Sequence, residues 1–155
     1  MNETQLQRVR SQLALEIDPR LYRTIRRLWV KHSRAEDARD IAGLIETLSS
    51  ECVYTVVPTA QRWEGHEGAR RFYTELLTAF PDAHFDLVDI VIGPQGVIEV
   101  ADLTGTHQAA WAGLSGSGRR IRLRVIIHFP WDETSGKFAG ENVYFDRAEH
   151  TDPAA

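Results

Sequence analysis

From Arg120 to Phe129 the chain alternates without a break: Ile121, Leu123, Val125, Ile127 and Phe129 hold one parity, and Arg120, Arg122, Arg124, Ile126 and His128 the other. Successive strand side chains point to opposite faces, so this run specifies a two-faced β-strand. On a helix the same apolar residues would scatter round the axis. One strand cannot bury its own apolar face, so the chain needs a sheet with a covered side. Further strands read at 84–92, 97–110 and 138–146, set off by the turn signals Gly93-Pro94-Gln95-Gly96, Gly113 to Gly118 and Asp132 to Gly136. A short strand from Cys52 to Val57 ends at Pro58.

The first half supplies the cover. Asp18 before Pro19 is an N-cap with proline at the first helical position, and Leu21, Ile25, Leu28 and Trp29 follow at helical spacing. Ser33-Arg34-Ala35-Glu36 reads as a capping box opening a second helix striped by Ile41, Leu44, Ile45 and Leu48. A third begins near Gly65, carries Ala69, Phe72, Tyr73, Leu76, Leu77 and Phe80, and stops at Pro81. Leu6, Val9, Leu13 and Ile17 suggest a weaker helical arm over 1–17. The expectation is an α+β fold in which three helices of the N-terminal half pack on one face of a strongly bent antiparallel sheet. The helix from Gly65 to Phe80 should lie on its concave side. At 155 residues the chain fits one domain, with a core of about 20–148 and a frayed tail at 149–155.

Composition narrows the function. A formal charge of −4 gives no overall footprint for nucleic acid. The charge is uneven, with eight Lys and Arg against three acids in 1–34 and two against six in 129–155. The Arg119, Arg120, Arg122 and Arg124 stripe reads as a solvated or interface face before it reads as an anion site. No run of residues is apolar enough to cross a membrane, and the start lacks a signal-peptide pattern, so cytoplasm is the expected location. Cys52 is the one cysteine, which excludes an intrachain disulfide, and in its apolar strand it reads as an inert buried thiol. The six histidines form neither H-x-H nor H-E-x-x-H, so no metal site is expected. Gly116-Ser117-Gly118 is too short for a dinucleotide fingerprint and precedes a strand, and there is no P-loop and no G-x-S-x-G elbow, so no cofactor is expected.

Five stretches carry a resemblance: Trp63-Glu64-Gly65-His66-Glu67-Gly68-Ala69-Arg70-Arg71-Phe72-Tyr73, Phe80 to Phe85, Gly105-Thr106-His107, Gly116 to Arg119, and Gly136-Lys137-Phe138 running on to Glu141 and Tyr144-Phe145-Asp146. In this order they resemble SnoaL-like proteins of the nuclear-transport-factor-2-like superfamily. The resemblance implies a cone of helices round a bent sheet that encloses a largely apolar pocket. It also implies a homodimer, with a second subunit over the sheet's other face. Members include cyclases, isomerases, dehydratases and hydrolases, along with pocketed proteins of no shown activity, so fold alone does not assign chemistry.

By that resemblance Asp146 stands where the cyclases hold a proton-shuttling carboxylate, and His128 where they hold a nearby histidine. Desolvation would raise such a carboxyl toward the range where it moves a carbon acid's proton. The ordinary alternatives are a solvated strand-end aspartate and, from strand parity, an outward-facing His128. His107 shares parity with Val97, Ala101 and Leu103 and is expected to point inward. Tyr54, Trp63, Asn142 and Tyr144 are the candidate ligand-facing donors or aromatic walls. Asp102 and Arg122 could form part of an epoxide-hydrolase-like Asp-Arg-Asp set, although no third carboxylate is in place. Two functional readings stay open: a cofactor-independent cyclase or isomerase acting on a small, largely apolar carbonyl compound, or a non-catalytic small-molecule-binding or dimerisation module.

Overall fold

In the computed structural model, residues 2–146 are described. The element order is α1 (Glu3–Leu13), α2 (Pro19–Asp37), α3 (Ile41–Glu46), β1 (Leu48–Val56), β2 (Gln61–Glu64), α4 (Gly65–Ala79), β3 (His84–Gly93), β4 (Gly96–Thr106), β5 (Arg120–Asp132) and β6 (Lys137–Phe145). The tail expected to fray at 149–155 lies outside the described residues.

The strands form one curled sheet in the order β2-β1-β6-β5-β4-β3. The four long strands pair antiparallel, as their alternation requires. β1 closes the arrangement by pairing antiparallel with β2 and parallel with β6. Register shifts between Leu87 and Asp89, His128 and Trp131, and Leu48 and Val53 bend the strands, because an extra residue on one side of a ladder sharpens the local twist. Gly140 sits at the β6 irregularity with φ +115, where a Cβ would run into the Val53 carbonyl, so only glycine allows β1 and β6 this close.

Ile121, Leu123, Val125, Ile127 and Phe129 are all nearly inaccessible, as the alternation demanded. α4 packs on β1, with Ala69, Phe72, Tyr73 and Leu76 turned inward. α2 begins as expected, its Arg20 amide donating to Asp18 Oδ1 at 2.7 Å.

The Ser33 to Glu36 box does not start a helix. α2 runs through it for 19 residues, and the next helix opens at Ile41, where Gly43 N donates to Asp40 Oδ1. No glycine or proline interrupts 20–38, and burial of Ile25, His32 and Ala35 along one face holds the helix together. α2 ends in a Schellman motif: Arg39 N donates to Glu36 O at 2.9 Å and Asp40 N to Ala35 O at 2.8 Å. Arg39 occupies its left-handed position with φ 56, where a side chain costs about 1–2 kcal/mol and glycine nothing. β2 and α1 bring the totals among the described residues to six strands and four α-helices. α1 has no buried residue, and Leu13 and Ile17 at 82% and 85% exposure show how lightly the arm is held.

Candidate active site

The inner face of the sheet is not uniformly apolar. α2 turns Trp29, His32 and Glu36 toward it, three and four residues apart on one helical face. β4 contributes Glu99, at the parity of Val97, Ala101 and Leu103, and β6 contributes Glu141, at the parity of Val143. β1 and α4 add Tyr54 and Tyr73.

Four of these groups, His32, Tyr54, Tyr73 and Glu141, form one buried hydrogen-bonded cluster with Thr47. The Tyr73 hydroxyl donates to Glu141 Oε1 at 2.6 Å. Its single proton being used, Tyr73 accepts from the Tyr54 hydroxyl at 3.0 Å. Thr47 Oγ1 donates to the Leu44 carbonyl at 2.6 Å, so at 2.7 Å it accepts from His32 Nδ1–H. His32 Nε2 then faces Glu141 Oε1 at 3.1 Å and Tyr73 Oη at 3.0 Å. The imidazole and the carboxylate thus face each other out of water, with His32 1% and Glu141 2% exposed.

The other two carboxyls are tuned upward. Burial first, and then the charge of Glu141, push Glu99 up to about 7, against the opposing hydrogen bond that the Trp29 indole donates at 3.2 Å. Partly buried Glu36 is raised well above the ordinary carboxylate range, first by desolvation and then by Glu141, Glu99 and Asp37. Burial and Glu141 likewise raise Tyr54 and Tyr73, which keeps both phenols protonated as donors.

Two connected spaces reach these groups. A cleft of about 200 Å³ is bordered by apolar Leu44, Leu76, Leu77, Ala83 and Phe85, with Tyr73, Glu36, Asp37, Arg39 and His84 as its polar lining. Glu36, Leu76 and Phe85 also line a narrow inner cavity of about 20 Å³, walled by Phe72, Leu103, Trp111, Val125, Ile127 and Val143 and reaching Glu141. Glu36 therefore stands where the open cleft meets the interior. Trp111 is 4% exposed, and its indole N–H finds no acceptor among the described residues.

The residues expected at the site are distributed differently. Asp146 is exposed just past β6, on the parity opposite to Glu141 and Val143, and lines neither space. His128, Asn142 and Tyr144 lie on the outer face: His128 pairs in register with Asn142, and its pKa is lowered by burial and by Arg8. Trp63 is spent on structure, its indole donating to Glu75 Oε2 at 3.1 Å so that β2 is tied to α4. His107 does point inward, fully buried and stacked on Phe80 with ring centroids 4.6 Å apart, yet it borders neither space. Tyr54 alone of the seven joins the cluster. Asp102 and Arg122 are also on the outer face, where Asp102 takes hydrogen bonds from Arg122 Nη2 at 2.6 Å and Arg124 Nε at 2.5 Å that hold it down at about 2. Among the described residues no group of three His, Cys, Asp or Glu side chains is placed to hold a metal ion, and no helix is long and apolar enough to cross a membrane.

The family model of the SnoaL-like polyketide cyclases matches residues 20–151. The chain belongs to that family. Solved structures share the fold of this SnoaL-like chain at low identity. AclR from Streptomyces galilaeus is 18% identical over 83% of this chain and 92% of its own, with a TM-score of 0.64. IdmH from Streptomyces antibioticus is 16% identical over 81% and 94%, also at 0.64. A SnoaL-like protein from Jannaschia sp. CCS1 is 19% identical over 86% and 92%, at 0.67. No curated protein matches the SnoaL-like chain significantly.

Proposed function

We propose that this SnoaL-like protein is a cofactor-independent acid/base catalyst of the cyclase or isomerase type, acting on a small, largely apolar carbonyl compound. The position of Glu36 carries the reading: a carboxyl with a raised pKa at the junction of an apolar cleft and a buried hydrogen-bonded cluster. In its ionised form Glu36 takes a proton from the carbon next to the carbonyl. Tyr73, which lines the same cleft, turns its O–H from Glu141 to the developing oxyanion, and Glu36 returns a proton to the carbon after exchange with solvent. IdmH, described as a candidate polyketide cyclase, is in keeping with this reading.

Proton exchange tests this without the natural substrate. The α-hydrogens of butyrophenone in D₂O, followed by proton NMR, should exchange faster with the protein than without it. Glu36→Gln should remove roughly 10²- to 10⁴-fold of that acceleration. Exchange that Glu36→Gln leaves untouched but Asp146→Asn abolishes would return the role to the strand end.

The narrowness of the inner cavity, crowded by Phe72, Phe85 and Trp111, favours a second reading, a binding module without catalysis. Probe binding with no exchange in the wild type would select it. We also read the molecule as a homodimer. Val91 and Ile98, and next to them Val100, Ile126 and Tyr144, form two adjacent rows across the outer face, a patch that a second copy covers by two-fold pairing. Light scattering at the 17.6 kDa of one chain over a wide concentration range would contradict this.

A further inference from the structure

We infer that Arg39 makes the mouth of the cleft an anion-binding subsite, so that the substrate is a keto acid held with its carboxylate at the rim and its carbonyl toward Glu36. The inference rests on the reading above and adds the substrate's second functional group. Two independent observations carry it.

The first is the backbone. Arg39 fills the left-handed position of the Schellman motif that ends α2, a place that glycine fits without strain and arginine does not. A residue kept in an unfavourable conformation calls for a role for its side chain. The second is where that side chain goes. Arg39 lines the cleft beside Leu76, Leu77, Ala83 and Phe85, and its one hydrogen bond is a long contact from Nη2 to the Ala83 carbonyl at 3.4 Å. Asp37 lines the same cleft, yet among the described residues no carboxylate oxygen lies within 4.0 Å of the guanidinium. The neighbouring His84 is already paired with Asp86 at 3.1 Å. Arginine presents a planar fork of donors that matches a carboxylate.

Polarity along the cleft fixes the orientation. Glu36 and Glu141 border the inner cavity and repel an anion, whereas Arg39 lines only the cleft, along with Asp37 and the Asp86-paired His84. A ligand with one anionic end and one carbonyl end therefore enters carbonyl first.

Benzoylpropionate and butyrophenone are matched probes that differ in the carboxylate alone. Calorimetric titration of the wild-type protein should show benzoylpropionate binding roughly tenfold more tightly, with the preference shrinking as salt screens the pair. Arg39→Gln should abolish the preference, and Arg39→Lys should keep part of it. Arg39→Gly should also abolish it while raising the thermal unfolding midpoint by roughly 2 °C, because glycine relieves the strained backbone. Equal binding of the two probes by the wild type, a preference unchanged in Arg39→Gln, or no binding of either probe up to roughly 10 mM (weak even by small-molecule standards) would each overturn the inference. Exchange without an anion preference removes the rim site alone. An anion preference without exchange removes the acid/base reading and leaves the rim site standing.

Discussion

Glu99 and Asp102 stand three residues apart on β4 and are almost equally inaccessible, at 6% and 4% exposure, yet one is pushed up to about 7 and the other held at about 2. Three residues is an odd step along an unbroken strand, so Glu99 lies on the inner face and Asp102 on the outer. Inside, Glu99 meets a neutral indole and further carboxyls. Outside, Asp102 meets two guanidiniums. Burial alone sets neither value. The partners supplied by the facing strand and helix decide whether a covered carboxyl stores a proton or locks an ion pair.

The largest effect that would sharpen this contrast is on activity. Glu36→Gln should cost roughly 10²- to 10⁴-fold in proton exchange, whereas Asp102→Asn should change it less than about twofold, well inside the range of surface substitutions. A comparable loss in both would dissolve the distinction between the faces.

Stability comes next. Replacing His32 with leucine leaves Glu141 buried without its imidazole partner, and urea unfolding should register a loss of about 3–5 kcal/mol. A cost below 1 kcal/mol would show that Tyr73 alone satisfies the carboxylate.

The third test uses pH. Glu99 has a folded-state pKa near 7, raised from 4.5. Its contribution is fully present below pH 4.5 and is lost as pH rises through 7, a decline of about 3 kcal/mol by linkage. Glu99→Gln should flatten that slope between pH 5 and 8 in denaturant titrations. A variant with the wild-type slope would shift the effect to Glu36.

Asp102 works in the opposite sense and more weakly. Its pKa is depressed from 3.8 to about 2, so its stabilisation is present above pH 4 and disappears as pH falls toward 2. Because the Arg122 and Arg124 side chains are 59% and 48% exposed, solvent screening limits the gain, and Asp102→Asn should cost about 1 kcal/mol at neutral pH.

Local signals explain what could be read from the chain. The β5 alternation, the Asp18-Pro19 helix start and the stop at Pro81 each act within a few residues. β2 escaped because Gln61-Arg62-Trp63-Glu64 becomes a strand only by pairing with β1. Ser33 and Glu36 have the spacing of a capping box, but Glu36 belongs to an inward helical face that also carries His32. The same arithmetic could have found Glu99, at the parity already noted for Val97, Ala101, Leu103 and His107, and Glu141, two residues before Val143. Attention to the strand end favoured Asp146, Asn142 and Tyr144, which share the opposite parity. What no local pattern reveals is that α2, α4, β1, β4 and β6 bring their polar residues to one place.

The parallel pairing of Val53 with Gly140 has a consequence for how the molecule is made. β6 is the last of the described strands to leave the ribosome, and until it inserts, β1 and β5 each present an open edge across a gap that spans most of the described residues. Closing so distant a contact is entropically slow, and the half-built sheet is open to association with other nascent chains. Glu141 arrives on that same strand. Proton-transfer competence should therefore appear in one step at the end of folding, and a nascent chain released before Gly140 should be both inactive and prone to aggregate.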